Sequence, residues 1–347
     1  MPNPAQHNIP IRIANIAIDL TSTLSAAELG IAARLGPFIG SSALQPHRTG
    51  DVTLSGADSQ VSASRVTSEA SRDGKADASA QTTGLSMTSA IVELTNPLAR
   101  VALRWEASAA PPVPRGDLIY DPGSIWKMYR AGQEYYAALT YQSDGRAAQA
   151  RSVLCANPTW DDLTLTEQRT GPRWQSLLNI GAGELILRIA ILFTGGLVFH
   201  ASGLDDNDNG IVFIGHSGAG KSTQVGLWGQ EPGVTAMNDD RIAVRVEATG
   251  PMCYGTPWGG TADIARNHAA PLKALIVLEQ APENAIQPIP PAAAAPLLAA
   301  RAFLPYWDPA LMQRALADLT AILAHVPVYR LRCRPEPAII PLVRSVL

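Results

Sequence analysis

Residues 215 to 222 read GHSGAGKS, a run whose residue types suit one kind of chemistry. Gly215, Gly218 and Gly220 let the backbone curl so that the N–H groups of His216, Ser217, Ala219 and their neighbours turn inward toward phosphate oxygens. Lys221 then bridges the outer phosphates, and Ser222 offers its hydroxyl to a divalent cation. Thr223 continues the first turn of a helix whose N-terminus favours anions. The spacing satisfies G-x-x-x-x-G-K-[ST] at each required position. Ile211 to Ile214 (IVFI) before it reads as a buried strand and Ser222 to Trp228 after it as a helix. Strand, loop and helix in that order are the context the motif requires. Lys221 is one of four lysines, the others being Lys75, Lys127 and Lys273.

A loop that holds nucleotide phosphates needs carboxylates to do chemistry on them. Asn238-Asp239-Asp240 follows after about one helix and one short strand, and the strand-like Arg241 to Val246 follows it. Side chains alternate along a strand edge, so the two aspartates point different ways. One reaches a cation while the other faces an acceptor hydroxyl. His200 closes the apolar run Leu197 to Phe199, and taken alone it reads as a core histidine.

The elements that must position these residues form two blocks. Beyond residue 175, helical spacing from Trp174 to Thr194 leads to short strands at 197–201, 211–214, 241–246, 274–279 and 328–331. A helix is expected over 309–324. Alternating strands and helices predict an α/β domain with a mixed sheet over 175–347. Residues 1–174 read as a strand-rich α+β domain. Isoleucines alternate through 9–20 with one break, AIVEL and ARVALRWEA alternate from residue 90 to 107, and the aromatic-rich Trp126 to Leu139 is expected to be a helix. Residues 50–90 are Ser, Ala, Thr, Asp and Gly, either a mobile insertion or exposed strands of a small sheet.

Composition narrows the partners. Twenty-seven Lys plus Arg against 30 Asp plus Glu give a net charge of −3, which argues against a general nucleic-acid binder. Cys155, Cys253 and Cys333 lie far apart and form no Cys-x-x-Cys pair, so reduced cytoplasmic thiols are expected. The N-terminus has no basic start followed by a long apolar stretch. The most apolar segment, 177–199, carries Glu184, Arg188 and a Gly195-Gly196 break, so no membrane segment is expected.

The run from Phe199 to Val244, with His200, GHSGAGKST and the Asp239-Asp240 pair in order, resembles the catalytic domain of HPr kinase/phosphorylase and of the HPr-kinase-like enzymes that phosphorylate serine hydroxyls, including tailoring kinases of ribosomal peptides. The resemblance covers roughly residues 175 to 345. It implies a P-loop fold of the HPr kinase/phosphoenolpyruvate carboxykinase type, with ATP as donor and Mg²⁺ as the ion. It gives Asp239 the role of base toward the acceptor, Asp240 and Ser222 the metal, and His200 a supporting place beside the catalytic carboxylate. The basic loop of the bifunctional enzyme corresponds to 255–272, where Arg266-Asn267 is similar to it and Arg266 would stabilise the transferred phosphoryl group. Thr256 to Gly260 (TPWGG) is similar to the peptide kinases instead. The acceptor is then a hydroxyl, first a serine of a peptide or protein, as in lasso-type peptide maturation, with the N-terminal domain recognising it. A small-metabolite kinase, a carboxykinase-like enzyme and a nucleotide-gated regulatory module stand as alternatives. Related kinases form rings or dimers, and no sequence signal here reports a homo-oligomer interface.

Overall fold

The isoleucine alternation near the N-terminus builds the first hairpin of the protein. In the computed structural model, which describes residues 6–40, 99–140, 151–169, 176–179 and 181–347, β1 (His7–Ile13) and β2 (Ile16–Ser22) pair antiparallel with Ile13 opposite Ile16. The break in the pattern is a two-residue turn at Ala14 and Asn15, both at positive φ (50° and 61°). Such left-handed turns match the twist of the strands they join. The short α1 (Ala32–Leu35) follows.

The first sheet continues through β3 (Ala99–Ser108), β4 (Asp117–Tyr120), β5 (Trp126–Ala131), β6 (Glu134–Leu139), β7 (Ser152–Ala156) and β8 (Asp162–Gln168), in the order β1-β2-β3-β8-β7-β6-β5-β4. β2, β3 and β8 run parallel and the rest antiparallel. The expected helix over Trp126 to Leu139 is therefore a hairpin. Gly132 turns it at φ 62°, and Met128, Tyr135, Ala137 and Leu139 face the core at strand period. The 50–90 segment, AIVEL and the boundary near residue 175 lie outside the described residues.

The second sheet holds the loop. α2 (Ala182–Ala190) leads to β9 (Gly196–Asp206) and β10 (Gly210–Ile214), then α3 (Lys221–Trp228), β11 (Val234–Asn238), β12 (Arg241–Glu247), β13 (Gly250–Gly255) and β14 (Ala269–Gln280). β15 (Ala285–Ile289), α4 (Pro291–Ala299), α5 (Pro309–His325), β16 (Val328–Cys333) and α6 (Ile339–Arg344) complete it. β10, β14 and β16 are parallel neighbours, and the other pairings are antiparallel, so the sheet is mixed.

β9 organises the site because it changes partners halfway. Along one edge, residues 196–200 pair β12 and residues 203–206 pair β11, with the register shifting by one residue between Ala236 and Asn238. Along the other edge residues 201–205 pair β10, and Val198 to His200 meet a short extended segment at 301–303. Where strands diverge in this way a crevice opens at their ends. An apolar core runs from Leu103, Leu163 and Leu165 of the first sheet into Leu185 and Ile189 of α2 and Leu319 and Ile322 of α5. Among the described residues no helix is long and apolar enough to cross a membrane.

Candidate active site

The GHSGAGKS run leaves the end of β10 and its last two residues, Lys221 and Ser222, open α3, as its flanks require. Gly218 and Gly220 adopt φ of 80° and 103°, where a side chain is strained. Lys221 is 8% exposed, and its Nζ donates to the carbonyls of Gly215 (3.2 Å) and His216 (3.3 Å), folded back over the hollow it surrounds. Ser202 on β9 donates to the Lys221 carbonyl (3.1 Å), and Gln280 at the end of β14 donates to the Gly218 carbonyl (2.8 Å). Burial pulls the Lys221 pKa down, the charge of Arg301 adds to that pull, and Asp240 opposes it.

Facing the loop across a cleft of about 570 Å³ are His200, Asp239, Asp240 and Gly260. The two aspartates have opposite surroundings. Asp239 is 2% exposed, and its carboxylate accepts backbone N–H groups from Gly260 (2.7 Å), Ala262 (2.8 Å) and Ile264 (3.2 Å). It is the anchor around which the 256–264 loop folds. A Cβ on Gly260 would lie 2.8 Å from an Asp239 oxygen, so that wrap needs glycine. Asp240 keeps a fifth of its side chain exposed and pairs with His200 Nδ1 at 3.1 Å and with Arg241. Burial pushes the Asp240 carboxyl up, but the His200 hydrogen bond and the charges of Arg241 and Lys221 outweigh it and hold the group below the usual carboxylate range.

His200 thus sits beside Asp240, the second aspartate, and not beside the first. Arg266 is at the return of the loop, where its guanidinium donates to the Ala236 carbonyl at 2.9 Å. That bond ties the loop to β11, and Arg266 is not among the residues lining the cleft.

Several residues that hold the site have no role in the sequence reading. Asn238 is fully buried. Its Oδ1 accepts from the N–H groups of Asp240 and Arg241 (both 2.7 Å), and its Nδ2 donates to the carbonyls of Thr256 (2.8 Å) and Trp258 (3.2 Å). This one side chain turns the chain between β11 and β12 and fixes the loop opposite. Asn two or three residues before the amides it caps is a turn signal that was available in the sequence. Glu184 on α2 accepts from Arg188 and, at 2.5 Å, from Arg241. Arg188 lies 3.6 Å over the Phe303 ring, whose centre is 6.5 Å from that of His200. The Glu184–Arg188 spacing of four on an expected helix was a visible cue; Arg241 and Phe303 gave none.

A divalent cation has a plausible set of ligands here only in company. Among the described residues no three His, Cys, Asp or Glu side chains gather as a cage. Ser222 and an aspartate across the cleft suit Mg²⁺, which usually takes one or two protein oxygens and completes its shell with phosphates and water.

No family model matches the chain, and no curated protein matches it. Among solved structures, the HPr(Ser) kinase/phosphatase from Coxiella burnetii is similar to 43% of this chain and 87% of its own, at 13% identity and a TM-score of 0.26. A likeness at that level leaves function to be argued from the site itself.

Proposed function

We propose that the protein is an ATP-dependent phosphotransferase that moves a γ-phosphoryl group to a hydroxyl, first a serine of a peptide or protein. One observation carries this reading: the loop lysine, Lys221, and the Asp240–His200 pair face each other across a single cleft at the end of β10. Backbone N–H groups of 216–222 hold the phosphates and Lys221 balances the outer charge. Mg²⁺, bound to the nucleotide and to Ser222, would neutralise the phosphate oxygens. Asp240 receives the acceptor proton with His200 fixing its orientation, while Asp239 holds the 256–264 loop over the site. Asp240 thereby takes the proton-accepting role first given to Asp239, and Asp239 takes a structural one. In the transfer, the bond from the γ-phosphorus to the bridging oxygen breaks and ADP leaves with its electron pair. A bond from the acceptor oxygen to that phosphorus forms, and the hydroxyl proton passes to the Asp240 carboxylate.

The acceptor belongs, on this reading, to the N-terminal half. Among the described residues its edge strand β4 pairs only with β5, and it exposes Leu118 and Ile119, which suits an extended chain laid along it. The test is mass spectrometry of serine-containing peptides incubated with the full chain, ATP and Mg²⁺. A phosphorylated serine that disappears with Lys221→Ala supports the reading. Nucleotide binding with no transfer to any hydroxyl points instead to a nucleotide-gated module.

A further inference from the structure

Among the described residues that line the cleft, Lys221 is the only lysine or arginine, whereas phosphoryl transfer also uses a cation free to follow charge onto the moving group. Among the described residues four arginines lie on the elements around it, none of them in its lining, and two are committed to carboxylates. Arg188 and Arg241 share the Glu184 carboxylate, and Arg241 also holds Asp240. Arg266 is tied to the Ala236 carbonyl.

Arg301 differs in both position and partners. The 301–303 segment adds to the edge of β9 as a third short strand, with His200 N–H donating to the Arg301 carbonyl (2.8 Å), Phe303 N–H donating to the Val198 carbonyl (2.9 Å), and Ala302 opposite Phe199. That register sets Arg301 opposite His200. On the same edge Ile214, the last residue of β10, is opposite Ala201. Arg301 therefore occupies the next place along β9 from the point where the phosphate loop departs. Residues opposite each other on antiparallel strands project from one face, so Arg301 shares a face with His200, whose ring meets Asp240. Its guanidinium pairs with no carboxylate among the described residues; its one hydrogen bond there is to the neighbouring Ala300 carbonyl at 3.2 Å. Its charge reaches Lys221, adding to the burial that lowers the lysine pKa.

We propose that Arg301 contacts the terminal phosphate of a nucleoside triphosphate held by the loop, and is a catalytic residue that stabilises charge on the transferring phosphoryl group. The proposal rests on the phosphotransferase reading above, and the test separates the two. Calorimetry on the full chain with Mg²⁺ compares ADP with the non-hydrolysable triphosphate AMP-PNP, for wild type, Arg301→Gln and Arg301→Lys. A charge-assisted contact to the third phosphate predicts that Arg301→Gln loses about tenfold in AMP-PNP affinity and keeps its ADP affinity. ATP turnover falls by about a hundredfold or more, with partial recovery in Arg301→Lys. Unchanged AMP-PNP affinity and turnover overturn the proposal. An equal loss for ADP and AMP-PNP overturns it too, because the side chain would then serve the shared phosphates or the fold. Wild type that binds neither nucleotide refutes the phosphotransferase reading and this proposal together, an outcome distinct from the other two.

Discussion

Asp239 and Asp240 are adjacent in the chain, yet one is spent on backbone amides and the other faces a histidine, an arginine and the loop lysine. Their conservative variants should therefore fail differently. Asp240→Asn removes the proton acceptor and keeps the shape, so phosphotransfer falls by about 10² to 10⁴ with ATP affinity nearly intact. Asp239→Asn puts an amide NH₂ where backbone N–H groups converge. A buried donor left without an acceptor costs about 1–3 kcal/mol, so this variant shows a lower Tm in a thermal melt before any specific loss of chemistry. Equal Tm losses with equal rates in the two variants would contradict the division of roles. The aspartate pair itself was legible in the sequence. Which member was open was not, because that depends on Asn238 turning the chain and on Gly260 letting the loop close on Asp239, contacts about 20 residues apart in sequence.

At the scale of elements, the strand–loop–helix around Lys221 was readable because its glycines, lysine and flanking apolar run all act locally. The 126–139 hairpin was not. Its aromatic and apolar residues fit a helical face as well as an alternating strand, and only the Gly132 turn and cross-strand pairs such as Tyr129 with Tyr136 decide it. The 301–303 ribbon carried no signal, since its partner β9 is a hundred residues away. α5 supplies a prediction at this scale. Asp318, on α5, packs against β9 and accepts from the Gly196 N–H, while its Oδ2 has no hydrogen-bond partner. Burial raises its pKa from 3.8 to about 7 against the weaker pull of Arg314. Between those values the folded state keeps a proton that the unfolded chain has released, so stability falls as pH rises through that window and levels off above it. Asp318→Asn cannot ionise. Thermal melts from pH 5 to 8 should show wild type losing Tm relative to Asp318→Asn as pH rises; parallel curves would contradict the assignment.

For the molecule as a whole, the two sheets share more than a connection. Arg245 on β12 is 1% exposed and donates to the Ala14 carbonyl in the β1–β2 turn at 2.9 Å. Buried Glu167 on β8 accepts from Trp105 (2.7 Å), Ser152 (2.8 Å), Ser176 and the Leu177 N–H (2.7 Å), fixing the chain as it leaves the first sheet. The 175–347 part is readable as a unit from its α/β pattern, but its α2 and α5 side chains pack in one core with the first sheet. A fragment starting at residue 175 exposes that apolar face. It should bind a hydrophobic dye and melt below the full chain, even where it retains some nucleotide affinity. A fragment as stable as the full chain would show that the shared core contributes little.

The most direct test of the central claim follows the phosphorus. With [γ-³²P]ATP, Mg²⁺ and a pool of serine-containing peptides, the full chain should move label from ATP to a hydroxyl. Asp240→Asn should slow that movement by about a hundredfold or more while calorimetry finds ATP bound nearly as before. Label that leaves ATP equally fast in wild type and Asp240→Asn, or that never leaves wild-type-bound ATP, would contradict the account.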